Sequence, residues 1–246
     1  MIINNFYQPL DQFEIVFLGY FKGIPITNSF IYMFFIYGAL RFLFGLIFLE
    51  LKLIPNNWQR LVESIYLFVF NLIKQQIGIK GYPYFPLKFT LFLFILLANL
   101  FGMTLYSFTI TSHAVVTFSL AFGFFIGIVI IGVITQKVKF LNTFIPSGSP
   151  AALLPFMVII EIISYLSRPV SLALRLFANM MSGHTLLAIL ANFSLVISKK
   201  NFLIGAIPFL LIVVIIGLEA MIAVLQAYVF TVLLCMYLND SIHGAH

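Results

Sequence analysis

The sequence predicts an all-α integral membrane protein, on three observations. Hydrophobic residues make up 63% of the 246 residues and charged ones only 8%, where soluble domains carry about 25% charged. Apolar runs of about 20 residues, the length that crosses a bilayer as a helix, recur along the chain. The C-terminal part holds two apolar stretches far longer than that. The net charge of +6 is spread over short polar connections, so it reads as a topology signal and not as a nucleic-acid footprint.

The elements follow in order. Residues 1–29 are mixed, with Pro9, Pro25, Asp11 and Glu14, and read as a surface segment. They lack the basic and apolar blocks of a signal peptide and the arginine-rich character of a transit peptide. That fits a protein made in the compartment where it inserts, although a processed chain would look the same. Residues 30–49 (FIYMFFIYGALRFLFGLIFL) form a transmembrane helix. Arg41 within it fits either snorkelling or a partner subunit. Residues 56–76 carry Arg60, Glu63, Asn71, Lys74 and Gln75 in an amphipathic pattern bounded by Trp58. They read as a helix lying in the membrane interface, a second polar span being the alternative.

Pro83 and Pro86 break the chain, and residues 87–106 and 114–135 then give two membrane helices separated by the polar stretch Ser107–His113. Gln136–Pro150 is a loop. Residues 151–198 have no strong break but Pro155 and Pro169, and residues 202–238 only Pro208. As single helices they would be roughly 70 Å and 55 Å long, against a hydrocarbon core of about 30 Å. Each folds into two ordinary spans or lies strongly tilted. No internal turn chemistry divides either, so two long tilted helices in a hairpin are the better reading. The whole chain, 1–246, reads as a single membrane domain.

Within the first long stretch stands Arg175. A guanidinium stays protonated at physiological pH, and at membrane depth it costs roughly 2.5–3.5 kcal/mol even on insertion scales. Snorkelling to the headgroups is the bland explanation. The neighbours argue otherwise. At 100° per residue, Glu161, Ser164, Arg168, Ser171, Asn179 and Ser182 all fall within about 40° of Arg175. An apolar helix with one polar stripe meets water or a partner along it. On the second long stretch, Glu219 and Gln226 share a face, with Gly217, Ala220, Ala223 and Ala227 nearby to allow close helix approach.

The polar break Ser198–Asn201 is the natural turn. Residues equidistant from it pair Arg175 with Gln226, His184 with Glu219, and Glu161 with Asp240. Intramembrane ionisable groups normally pair. His184 and Glu219 would form one titratable site, the imidazole being able to relay protons near neutral pH. Glu161 and Asp240 would form a second. Arg175 lies between them along the helix as a fixed charge that cannot relay, a layout suited to two proton half-paths that must not join.

These residues resemble a known family. SRPVSLALRLFANMMSGH (Ser167–His184) and GLEAMIAVLQAYVF (Gly217–Phe230) are similar to subunit a of the F-type ATP synthases, as are LLANLFGMTLYSFTITSH (Leu96–His113) and PLDQFEI (Pro9–Ile15). The order of His184 and Glu219 resembles the mitochondrial pattern, bacterial relatives often having the two interchanged. The resemblance implies that Arg175 faces the carboxylate of each c-ring subunit in turn, with Asn179 and Gln226 lining that contact. It implies that His184 and Glu219 belong to an entry path from the intermembrane space, and Glu161 and Asp240 to an exit path towards the matrix. It implies partners in the c-ring, the peripheral stalk, other membrane-sector subunits and the lipid bilayer, in the mitochondrial inner membrane. Lys199 and Lys200 would then face the intermembrane space, against the positive-inside tendency. The chain itself would make no covalent change.

No P-loop or dinucleotide fingerprint is present, so no cofactor is expected. The lone Cys235 offers neither an internal disulfide nor a metal site and reads as a packing residue. A proton-coupled transporter, or a pumping subunit of a respiratory complex, is the alternative; those usually show paired repeats or matched broken helices, and the sequence shows neither. A non-conducting assembly subunit would not need these charges at depth.

Overall fold

The computed structural model describes residues 11–21, 23–49, 55–103, 108–137, 140, 154–199 and 202–243. Strands β1 (Phe17–Phe21) and β2 (Ile24–Thr27) precede helices α1 (Asn28–Leu49), α2 (Asn57–Gln76), α3 (Phe85–Gly102), α4 (Ala114–Gln136), α5 (Leu154–Ser198) and α6 (Phe202–His243). Among the described residues, five helical segments are long and apolar enough to cross a membrane: Asn28–Gly45, Ile79–Gly102, Ala114–Gln136, Pro155–Ser198 and Gly205–Ile242. α2 is not among them. Its Arg60, Glu63 and Lys74 are exposed, while Val69, Leu72 and Ile73 are buried.

The described residues pack as two compact units. The first combines Met1–Gly45, Phe94–His113 and Leu176–Gln226. β1 and β2 form an antiparallel hairpin, irregular between Phe17 and Gly19, and its turn uses the positive φ of Gly23, which glycine adopts without strain. This hairpin is absent from the sequence reading of a plain surface segment. Its backbone continues into α1, where the Asn28 amide donates to the Val16 carbonyl. Aromatic residues of α1 meet the end of α3 through Phe35 and Phe101, and the segment beyond α3 through Tyr32 and Phe108. The core holds Ile36, Ile95, Ala98, Leu176, Met180 and Ala223.

The second unit combines Leu46–Leu93, Ala114–Arg175 and Ala227–His246. α2 packs back on the start of α3 through an aromatic cluster of Tyr66, Phe70, Phe85 and Phe89. Between them Gly81 sits so close that a Cβ would lie 2.9 Å from Ile73 and Ile77, and Gly78 turns the chain at φ 75°. Pro86 occupies the first turn of α3, where the missing N–H has no intrahelical partner to lose. The core holds Val69, Phe92, Ala121, Leu172, Ala227, Phe230 and Leu238.

Some boundaries differ from the sequence expectation. α3 starts at Phe85 and ends at Gly102, not at 87 and 106; residues 104–107 lie outside the described residues, as do 151–153 and most of the loop 136–150. α6 continues past 238 to His243 although the run LNDSIH is polar. Packing explains it: Ser241 is buried, its carbonyl accepts from the Gln136 side chain at 2.8 Å, and its Cβ lies 3.3 Å from the position of a Cβ on Gly132. α5 is unbroken through Pro169, although the ring removes the donor for the Tyr165 carbonyl.

Candidate functional site

In the first unit α5 and α6 run antiparallel away from the turn. Next to the turn the Ser194 hydroxyl donates to the Gly205 carbonyl at 3.4 Å. Further along, His184 Nε2 stands 3.6 Å from Glu219 Oε1. Gly183 makes this approach feasible, since a Cβ there would meet Glu219 Oε1 at 2.6 Å. The Phe13 ring abuts His184 edge-on. Both side chains are largely buried, and His184 Nε2 and both Glu219 oxygens make no hydrogen bond among the described residues.

One turn of α5 earlier, Asn179 Nδ2 donates to Gln226 Oε1 at 3.1 Å, and Gln226 Nε2 is buried without a hydrogen-bond partner among the described residues. Within this unit the hydrogen-bond partner of Gln226 is thus Asn179, one helical turn beyond the Arg175 that spacing from the turn set opposite it. From α3, the fully buried Asn99 donates to the Ala223 carbonyl at 3.4 Å, its own Oδ1 remaining unsatisfied. Asn99 was missed in the sequence reading. Its signal was a lone amide in the apolar run ILLANLF, on a helix read as a plain span. The short turn after α3 is also buried, at Thr109, Thr111 and Ser112. His113 beyond it stacks on Phe108, and burial lowers its pKa from the usual histidine value.

In the second unit Asp240 does not pair with Glu161. Its carboxylate takes a 3.1 Å ion pair from Arg168, whose guanidinium lies 5.1 Å from the Tyr165 ring centre and 5.2 Å from that of Tyr237. The expected Glu161–Asp240 contact is thereby corrected: an opposite charge on the same stripe, two turns nearer the centre of α5, takes the aspartate. Glu161 is half-buried. Along the stripe Ser164, Ser171 and Arg175 are exposed, beside the buried Leu172 and Ala173. Arg175 makes no hydrogen bond or ion pair among the described residues. No three His, Cys, Asp or Glu among the described residues gather as a metal site.

The first unit thus holds an imidazole and a carboxylate facing each other without a hydrogen bond, and the second an exposed guanidinium without an ion pair among the described residues. The family model described as ATP synthase A chain matches residues 30–239. The chain belongs to this family. It is 49% identical over 245 residues to the ATP synthase subunit a of Acanthamoeba castellanii, covering 98% of this chain and 99% of that one. It is 46% identical over 240 residues to the ATP synthase subunit a of Chondrus crispus, covering 95% of each. Membership makes it a subunit of an ATP synthase membrane sector, in keeping with its five apolar helices.

Proposed function

We propose that the chain is the proton-conducting stator subunit of a mitochondrial F-type ATP synthase, without covalent catalysis of its own. Protons enter from the intermembrane space past His184 and Glu219, with Asn179 and Gln226 lining the passage to a c-ring carboxylate. After rotation they leave towards the matrix past Glu161 and Asp240. Arg175 holds the unprotonated ring carboxylate and blocks a direct link between the two half-paths. Proton flow thereby drives ring rotation, and ATP forms on other subunits. Moving one charge across the membrane yields about 2.3 kcal/mol per 100 mV.

The observation that carries this reading is Arg175: an exposed guanidinium, on a 45-residue helix long and apolar enough to cross a membrane, with no ion-pair partner among the described residues. At membrane depth such a charge calls for a carboxylate from another subunit. The length of α5 supports a strongly tilted hairpin against the ring, since at 1.5 Å per residue it spans about twice the hydrocarbon thickness. The polar face of α2 supports an interfacial position.

The test is proton-driven ATP synthesis in membranes holding normal amounts of assembled complex. Arg175→Ala is expected to abolish synthesis, with passive proton leak equal to or above wild type. Arg175→Lys is expected to fail largely, because lysine deprotonates more readily when desolvated and lacks the planar fork. Synthesis near the wild-type rate in Arg175→Ala would overturn the mechanism.

A further inference from the structure

Lys88 lies in the first turn of α3 and is 1% exposed. No side chain among the described residues gives its ammonium an ion pair or hydrogen bond. The ionisable group recorded beside it is the Cys235 thiol, which is uncharged at neutral pH in its ordinary state. A buried, uncompensated ammonium is costly, so its surroundings bear on what completes it.

Lys88 borders a cavity of about 360 Å³ in the second unit. The wall is apolar, from Leu87 on α3, Leu238 on α6 and the α4 segment from Ser119 to Ile131. That segment is about 18 Å long. Gly123 and Gly127 contribute to the wall, and a Cβ on either would meet no atom within 4 Å. Leu87, Ser119 and Gly123 are exposed, so the groove opens sideways to the bilayer. It has the length and chemistry of an acyl-chain slot, with a single cation near one end of a membrane helix, the level of headgroup phosphates.

We propose that this groove binds an anionic phospholipid, with one acyl chain along Gly123 and Gly127 and its phosphate paired with Lys88. Basic pockets between membrane helices capture anionic headgroups by the same logic. A zwitterionic lipid offers the same phosphate but brings its own cation, which offsets the pairing, and a protein helix would need its own acid at this depth. The site is separate from Arg175, His184 and Glu219, and the inference needs only that α3 and α4 span the membrane.

The test uses the assembled complex in phosphatidylcholine vesicles. These are doped with trace phosphatidylglycerol or phosphatidylcholine carrying a photoactivatable group midway along one acyl chain. Label on residues 119–131 is read by mass spectrometry after digestion. The expected result is about fivefold more label from the anionic probe, the gain of one favourable lysine–headgroup contact. Lys88→Met is expected to bring the ratio near one and Lys88→Arg to keep it. Gly123→Leu, which fills the groove, is expected to remove label from both probes. Equal labelling of the wild type, an unchanged ratio in Lys88→Met, or cross-linking of this segment to a neighbouring subunit in place of lipid would overturn the proposal. The wild-type ratio alone decides the matter if a variant fails to assemble.

Discussion

The same two helices carry two ionic pairs built on opposite plans. In the first unit His184 and Glu219 stand 3.6 Å apart, buried, with their facing atoms unsatisfied. In the second unit Arg168 and Asp240 meet at 3.1 Å, partly exposed, with the guanidinium between two tyrosine rings. Each partner of the first pair is a side chain that can gain or lose a proton. The cation of the second cannot. Charge-assisted bonding and ring contacts hold the second pair in one geometry. One pair is loose and titratable; the other is a clamp. A proton path needs the first kind where protons bind, and the second kind serves to hold a carboxylate where it is wanted.

The comparison breaks most sharply at Glu219. Glu219→Gln keeps the shape and removes the charge, and should lower maximal proton-driven ATP synthesis at least about tenfold in assembled complex, in line with loss of a positioned proton carrier. The exchange His184→Glu with Glu219→His keeps both groups at one level and should retain more activity than either single change. If it is no better than the worse single variant, the two do not act as a pair. Arg168→Leu should act differently: it leaves Asp240 without its cation, and destabilisation of about 1 kcal/mol is expected for so exposed a pair. That would appear as a lower temperature of complex dissociation, with coupling between proton flow and synthesis preserved in what remains assembled. Loss of coupling at full assembly would show that Arg168 itself, and not only Asp240, is needed for the exit step. The smallest effect should come from Gly183→Ala. Its methyl would crowd Glu219 Oε1 from 2.6 Å, and the carboxylate, at the end of a flexible side chain, would swing aside. A several-fold drop in synthesis rate with unchanged assembly is expected, and a wild-type rate would mean that the 3.6 Å separation is not critical.

Several of these features were legible in the linear chain. Arg175 stood out because a charge in an apolar run is rare, and the stripe around it because helical period converts spacing into direction. His184 and Glu219 were paired correctly by distance from the turn. The Glu161–Asp240 pairing slipped. Asp240 met Arg168, displaced towards the centre of α5, and Gln226 bonded Asn179. Distance from a turn assumes that both arms advance equally. From Ser194 to His184 and from Gly205 to Glu219 they do not, because contacts occur only at turns that face each other and long side chains reach across the offset. Asn99, Lys88 and the buried turn at Thr109–Ser112 were passed over for another reason. Period and composition describe one helix at a time, and say nothing about a neighbour from elsewhere in the chain.

The sequence by itself determined that the chain is a helical membrane protein, where most of its helices run, and which side chains carry charge at depth. Those depend on local hydrophobicity and on the fixed geometry of a helix. Tertiary structure alone decided which charges meet, why α6 persists through a polar end, and that Lys88 borders an apolar groove. Those depend on which turn of one helix faces which turn of another. A shift of a single turn, about 5.4 Å, leaves the pattern within each helix unchanged and replaces every partner.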